Sequence, residues 1–600
     1  MKQTIQRKRN NLKNILFTSV VGPYGTLSEW SRYKNPMSLL ANQVTRGQMY
    51  FQVQMFNNTW AFDLFAANIN ANTAILDFPS VDQLKSVLKA TKWDRIGISA
   101  IIPNFDALLK TYQVIREVLP TVQIDIGGHI MNDDNVIEEI KQNMLKTCPK
   151  ETFGTYAGNS PDFKDRNKNV TFVKRDGLDY YDILEGVGLK NKEKLYVPLS
   201  IASVQKRVMG INVSSTSSGL IIPELGCPMK CDFCATSHKF DGKFVKFLET
   251  AEDIMAVANA HYKEGRSEMF IMSENFSLDT KRALGLLKLM EEQKRPYSFD
   301  VFSSANSLIS LGVENLVKLG YCFIWIGLEE SSGDTYSNKM KDIDMKKLVT
   351  DLQAHGIEVL GSTILGFEHQ KLEDVDREVD YALSYGCVYN QFMLYTPTPG
   401  TVLWERMKAE GKLKKDFPWV ETHGQSIPNW NHPHMTDEQL ESKLDNAFDK
   451  DFERLGPSLY RMIKVHRDGY LKTADWDHEL VQMRRKKMKK MFILYIPILQ
   501  AMYKELKAMN HKVAPDVKEL RRSLVKITGL KGRLSNYTLS PYMKLTLRKE
   551  KRRFKKNLKL KRKDSPTCVL THYGDFDHTY PAGVPKPRKA HIVIEIPKNH

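Results

Sequence analysis

Three cysteines within eight residues, Cys227-Pro-Met-Lys-Cys231-Asp-Phe-Cys234, constrain this 600-residue chain more than any other feature. Three thiols this close cannot all pair with one another, so they read as ligands of one metal centre. Thiolates are soft donors that select zinc, copper(I) or iron–sulfur clusters, and four are normally needed to close a tetrahedral zinc site or a full cubane. No fourth cysteine stands nearby: Cys148, Cys322, Cys387 and Cys568 are scattered singly. Two readings follow, a zinc knuckle completed by a distant Cys or by His238, or a cluster with one iron left open to a ligand. Scattered cysteines make no disulfide framework, which points to a reducing compartment.

The start of the chain is basic, like the charged region of a signal peptide. Its apolar run, 15–21, is short and ends in Gly22-Pro23-Tyr24-Gly25 without a small-residue cleavage site, so it is expected to be a buried strand followed by a turn. No stretch reaches the roughly 18–20 apolar residues that span a bilayer. With 42% hydrophobic and 26% charged residues, the composition is that of a globular protein, and the length predicts several domains.

In 10–150, strand-like apolar runs alternate with amphipathic helical ones, which predicts βα units and a parallel, Rossmann-like sheet. The clearest unit runs from Asp94-Arg-Ile-Gly-Ile-Ser-Ala-Ile-Ile102, through a helix carrying Leu108, Tyr112 and Ile115, to Val122-Gln-Ile-Asp-Ile-Gly127-Gly128-His129. Ligands of such sheets sit beyond the carboxyl ends of the strands. That places Ser99 and Asn104 on one rim with Gly127, Gly128 and His129, where the glycines allow close backbone approach. His129 can equally be a rim residue without a ligand. After a polar connecting region, 151–214, six further strands are predicted near 219–223, 269–272, 298–302, 323–326, 359–365 and 391–395, with helical patterns between them. Six βα units make an open, partial (β/α) barrel over 215–415, whose chemistry lies at the carboxyl ends of its strands. The cysteine loop follows the first of these strands.

The triplet, with aromatic Phe233 before its last cysteine, resembles the signature of the radical SAM superfamily. Ser273-Glu274-Asn275 after the second strand resembles the segment that binds S-adenosylmethionine in those relatives, and Gly327-Leu328-Glu329-Glu330-Ser331 resembles their Gly-(Ile/Leu)-Glu-Ser segment. Glu368-His369 stand where many relatives have Pro-Gly, so no contact is assigned to that loop. The first domain resembles the cobalamin-binding domain that precedes the barrel in one branch of the superfamily, although its cobalt-ligating Asp-x-His-x-x-Gly motif is not found here. The resemblance covers about two thirds of the chain. It implies a [4Fe-4S] cluster on Cys227, Cys231 and Cys234 that cleaves S-adenosylmethionine to a carbon-centred radical. It implies a corrinoid near Ser99, Asn104, Gly127, Gly128 and His129, and an electron donor such as flavodoxin or ferredoxin.

The charge is concentrated late in the chain. Residues 481–563 hold 27 Lys or Arg against 4 Asp or Glu, a balance of +23 when the whole chain is +18. Basic runs at 484–490 and 549–556 bracket the apolar stretch 491–503, which contains Pro497. A peripheral contact with anionic lipid, binding of nucleic acid, and a basic helix packed on the barrel all remain open. Residues 416–563 are expected to form a mainly helical domain, and 564–600, with Pro581, Pro585 and Pro587, an extended tail.

Taken together, the expectation is an α/β protein with a Rossmann-like domain, a partial (β/α)6 barrel and a basic helical region. The expected activity is cobalamin-dependent C-methylation of an unactivated carbon in a lipid or small molecule, in the cytoplasm or at the membrane periphery. The alternatives are a radical SAM cyclase or ring-rearranging enzyme without methyl transfer, and a non-catalytic metal-dependent scaffold.

Overall fold

The computed structural model describes residues 12–22, 39–158, 168–174, 177–213, 218–328, 343–560, 566–574 and 580–598. The turn expected after Gly22 lies outside them.

The first sheet is built from strands whose central residues are apolar on both faces. Ile15, Leu16 and Phe17 of Asn14–Ser19 and Ile96 and Ile98 of Arg95–Ser99 are essentially inaccessible. Such strands are stable only between two helical layers. Asn14–Ser19 pairs in parallel with Asn72–Asp77 on one side and with Arg95–Ser99 on the other. The direction of winding therefore reverses at this strand, and a crevice opens beyond its carboxyl end and that of Arg95–Ser99. Gln123–Gly127, Val170–Val173 and Phe153–Tyr156 continue the sheet outward.

Two expectations about boundaries change. The domain does not stop near 150: Phe153–Tyr156 and Val170–Val173, from the presumed connecting region, are parallel strands of the same sheet. The presumed tail is woven in as well. Val569–Tyr573 pairs antiparallel with Asn72–Asp77 and covers that edge, while Val593–Pro597 pairs with Lys194–Pro198. Isolated edges bind other strands, so a late segment that caps one carries a structural role that its prolines obscure.

The second sheet has, among the described residues, six parallel strands in sequence order: Gly219–Ile221, Glu268–Ile271, Ser298–Phe302, Tyr321–Gly327, Glu358–Leu365 and Tyr389–Leu394. All six lie where the sequence pattern puts them. Side chains on one face, including Met269, Ile271, Val301, Ile324 and Val359, are sealed under the helices. The opposite, concave face carries Phe270, Phe302, Phe323 and Trp325, which are only half-buried.

The carboxyl-terminal region is helical: Asp437–Leu455, Ser458–Lys472, Glu479–Ala508, Ala514–Thr528 and Leu530–Lys559. The stretch 491–503 lies inside Glu479–Ala508, with Phe492, Ile496, Leu499 and Met502 at 0% exposure in a core shared with the two following helices. The apolar stretch proposed as a lipid contact is thus mainly the core of a helical unit. Its basic run is also partly committed, because Arg484 donates to the carbonyls of Tyr297, Val317 and Lys318 and Lys487 pairs with Glu268. Gly320, at φ 84°, ends the helix Val313–Leu319 there; a Cβ on it would lie 2.0 Å from Arg484 Nη1 and 2.1 Å from the Tyr297 carbonyl oxygen. Only glycine fits that position.

Candidate active site

The cysteine loop leaves the first strand of the six-stranded sheet. Glu224–Leu225 pairs antiparallel with Val245–Lys246, and Gly226 then takes φ +87° in space so tight that a Cβ would lie 2.2 Å from the Lys243 carbonyl oxygen. Ser237 clasps the loop: its Oγ donates to the Cys227 carbonyl at 2.7 Å and accepts the Lys230 N–H at 3.1 Å. The Cys234 N–H donates to the Cys231 carbonyl, and the Leu403 N–H donates to that of Asp232. Phe233 packs against the cluster formed by Phe367, Tyr395, Leu403, Met407 and Trp430.

Burial pushes the Cys227 thiol up to about 11, and the charges of Cys234, Cys231 and Glu274 add to that shift. Cys234 is raised for the same leading reason. Thiols in such surroundings ionise when a metal takes the sulfur. Among the described residues no three His, Cys, Asp or Glu side chains are placed to hold a single metal ion. The His238 ring is turned to the Cys231 carbonyl, with Nε2 at 3.1 Å. Three thiols set around one loop fit a cluster, in which each thiolate takes its own iron, better than a zinc knuckle closed by His238.

The next strand end supplies the neighbouring groups. Of Ser273, Glu274 and Asn275, two are committed to the scaffold. Ser273 Oγ donates to Glu224 Oε1 at 2.6 Å; Asn275 Oδ1 accepts the Ser304 N–H at 3.1 Å and the Ser303 hydroxyl at 3.3 Å. Glu274 instead keeps an exposed side chain close enough to the cysteine loop for its charge to raise the Cys227 and Cys234 thiols, while partial burial raises its own carboxyl pKa. Arg282 lies behind this row, with Nη1 and Nη2 on the two Glu224 oxygens at 2.6 and 2.7 Å. Glu329 and Ser331 lie outside the described residues.

The rim of the first domain meets the same mouth. Gly128, at φ +100°, presses on the preceding loop, and a Cβ there would lie 2.2 Å from the Ala100 carbonyl oxygen. Lys239, from the helix that follows Cys234, donates to the Gly128 carbonyl at 2.8 Å, and burial lowers its pKa to about 8. His129 is lowered to about 3 by burial, with Lys239 adding to the shift, so its imidazole is neutral. Gly127 closes the strand Gln123–Gly127, and its N–H and C=O edge faces Ser99 across the pair Ser99↔Gly127. Asn104 ends the short helix Ile102–Asn104 on the same rim. The structure therefore brings Gly128 and His129 against the helix that follows the cysteine loop, with Gly127, Ser99 and Asn104 on the same rim of the first sheet.

Sequence reasoning missed Glu224, Arg282 and Lys239, whose partners are distant in the chain. It also missed the aromatic wall of the concave face. Ring centroids of Phe270 and Phe302 are 5.4 Å apart, those of Phe302 and Trp325 5.1 Å, and Trp60 from the first domain stands 6.5 Å from Phe270. The available signal was the alternation of these rings with fully buried aliphatics along each strand.

Residues 221–382 match the model of the Radical SAM superfamily. The chain carries a radical SAM domain. It is 27% identical over 234 residues to an uncharacterized methyltransferase of Pyrococcus horikoshii, covering 38% of this chain and 50% of that protein. It is 24% identical over 221 residues to the hopanoid C-2 methylase of Rhodopseudomonas palustris, covering 34% and 42%. The chain thus spans about half the length of the curated relatives it matches. Among solved structures it is similar, at a TM-score of 0.45 and 11% identity over 80% of this chain and all of the other, to the radical S-adenosylmethionine methyltransferase TsrM of Kitasatospora setae with cobalamin and a [4Fe-4S] cluster bound.

Proposed function

We propose that this protein is a cobalamin-dependent radical SAM C-methyltransferase whose substrate is rich in hydrocarbon. The observation that carries the reading is the juxtaposition of three thiols beyond the first strand of a parallel six-stranded sheet with the open carboxylate of Glu274 beyond the second. Cys227, Cys231 and Cys234 would hold a [4Fe-4S] cluster, which supplies the electron that cleaves S-adenosylmethionine. Glu274 would bind the ammonium of that molecule, a charge-assisted contact strengthened by the crowding around it. Phe233 packs beside the loop and fixes its course. A corrinoid held at Ser99, Asn104, Gly127, Gly128 and His129 would supply the methyl group. No cobalt ligand is assigned to His129.

The concave wall supports the substrate class. Phe270, Phe302 and Trp325 offer half-buried aromatic surface below the strand ends, which suits an apolar ring system or acyl chain. Reduction of the cluster would come from a flavodoxin or ferredoxin.

Anaerobic reconstitution with iron and sulfide tests the proposal. The parent protein is expected to show a [4Fe-4S] spectrum and, once reduced, to release 5′-deoxyadenosine and methionine, with both properties lost in Cys227→Ala, Cys231→Ala and Cys234→Ala. Retention of the cluster in all three variants would remove the ligand assignment. Protein purified with hydroxocobalamin should hold about one corrinoid, and Gly128→Val should lose it. A protein that holds the cluster, cleaves S-adenosylmethionine and takes up no corrinoid would favour cyclisation or rearrangement.

A further inference from the structure

The helix Leu530–Lys559 packs with one face and leaves the other open. Gly532, Ser535, Met543, Leu547 and Glu550 are its buried residues. At 100° per residue these cluster on one side, and Leu530, Leu534, Tyr537, Pro541 and Leu545 fall on the opposite side. Leu530 is 71% exposed, Leu534 55%, Tyr537 84% and Leu545 52%. Continuing along that outer face, the apolar stripe gives way to Arg548, Arg552, Lys555 and Lys559, all exposed. Lys531, Arg533 and Lys544 flank the stripe. The helix holds eleven Lys or Arg and one acid, Glu550, which is buried against Arg207 and Arg553.

We propose that this face docks on an anionic membrane surface, the leucines and Tyr537 entering the interface while the basic half lies over the headgroups. Exposed apolar stripes of this length on a soluble face mark interaction sites. The charge selects the occupant. A second copy would oppose one all-cationic helix with another, and the one carboxylate that could relieve the repulsion is already paired. Nucleic acid would engage the cations but leave Leu530, Leu534 and Leu545 with nothing to cover them. An anionic lipid surface satisfies both halves. The surface is distinct from the stretch 491–503, whose apolar residues, Leu494 excepted, are wholly or partly buried. The proposal stands apart from the methyltransferase reading, since lipid binding is measured without turnover.

The full chain is tested by co-sedimentation with phosphatidylcholine–phosphatidylserine vesicles and with phosphatidylcholine alone. Binding should need phosphatidylserine and weaken as salt is added. Leu534→Ser with Leu545→Ser should lower affinity by roughly tenfold or more, and Arg548→Gln with Arg552→Gln should flatten the salt dependence. Both pairs are exposed, so the circular dichroism and the melting temperature should match the parent. Absence of binding to the anionic vesicles at low salt overturns the proposal, as does undiminished binding by both variants. A single-stranded RNA oligonucleotide that binds more tightly than the vesicles, and loses affinity in the arginine variant alone, would assign the face to nucleic acid. Concentration-dependent dimers abolished by the leucine variant would assign it to a second copy.

Discussion

Arg282 and Glu224 form an ion pair with side-chain exposures of 4% and 0%, and Ser273 shares one of the carboxylate oxygens. The pair joins the root of the cysteine loop to the helix Thr280–Glu292 and to the strand end that presents Glu274. Removing one partner of a buried pair leaves an uncompensated charge, at a cost of about 3–5 kcal/mol. Arg282→Met should therefore lower unfolding free energy by about that amount in denaturant titrations, and S-adenosylmethionine cleavage should fall even below the unfolding range. Asp300 supports a pH prediction. Burial raises its carboxyl to about 7, against a hydrogen bond from Cys322 Sγ at 3.1 Å that lowers it, and Glu358 adds to the rise. A folded pKa above the unfolded one means that the folded state binds the extra proton, so stability is highest below about pH 4 as far as this group goes and is lost as pH rises to about 7. Asp300→Asn should thus gain stability relative to the parent at pH 8 and little at pH 4.5, read from urea midpoints at the two pH values. The cysteine triplet stands out in the sequence because its spacing lies within eight residues. The partners of Ser273 and Asn275 do not, because Glu224, Ser303 and Ser304 reach them only once the strands align.

Pro497 sits inside the continuous helix Glu479–Ala508, where a proline removes one backbone donor. The carbonyl left without its helical partner is that of Ile493, and Ser535 Oγ from the neighbouring helix donates to it at 2.6 Å. The two helices meet closely there, since a Cβ on Gly532 would lie 2.8 Å from Ile496 Cδ1. Sequence periodicity placed the six strands of the second sheet and, in the first, those at Asn14–Ser19, Arg95–Ser99 and Gln123–Gly127, because each is a short apolar run between turn signals. It left the continuity of this helix in question, because the compensation for Pro497 comes from Ser535, 42 positions beyond the Ile493 carbonyl it serves. Ser535→Ala should cost about 1–2 kcal/mol. In a Pro497→Ala background the residue 497 N–H can serve Ile493, so the same serine change should cost less, and a double-mutant cycle from thermal unfolding should find the double variant more stable than the sum of the single effects predicts. Additive effects would mean that Ser535 acts on something other than the freed carbonyl.

Over the whole molecule, the first domain is closed by the last residues of the chain. Val569–Tyr573 takes the edge beside Asn72–Asp77, and Tyr573 Oη donates to the buried Asp63 at 2.8 Å. His591 Nε2 stands 3.8 Å from the same carboxylate, and Val593–Pro597 pairs with Lys194–Pro198. Pairings between residues some 400 to 500 positions apart leave no local signature, so the carboxyl-terminal segment read as an extended tail. A chain ending at 560 would expose the ladder of Asn72–Asp77 and leave the buried Asp63 without Tyr573 or His591, with Asn58 as a remaining side-chain donor. The barrel would lose one core residue, Ile596, but its six strands, their helices and the clasp on the cysteine loop all lie before residue 560. The truncated protein is therefore expected to lose the first domain selectively: early proteolytic cuts within 60–175, aggregation through the bared edge, and loss of corrinoid retention, with iron and sulfide still incorporated at Cys227, Cys231 and Cys234. A truncated protein whose proteolytic pattern matches the full chain would show that the late strands merely decorate the sheet, and loss of the iron–sulfur spectrum along with the corrinoid would show that the two domains unfold as one unit.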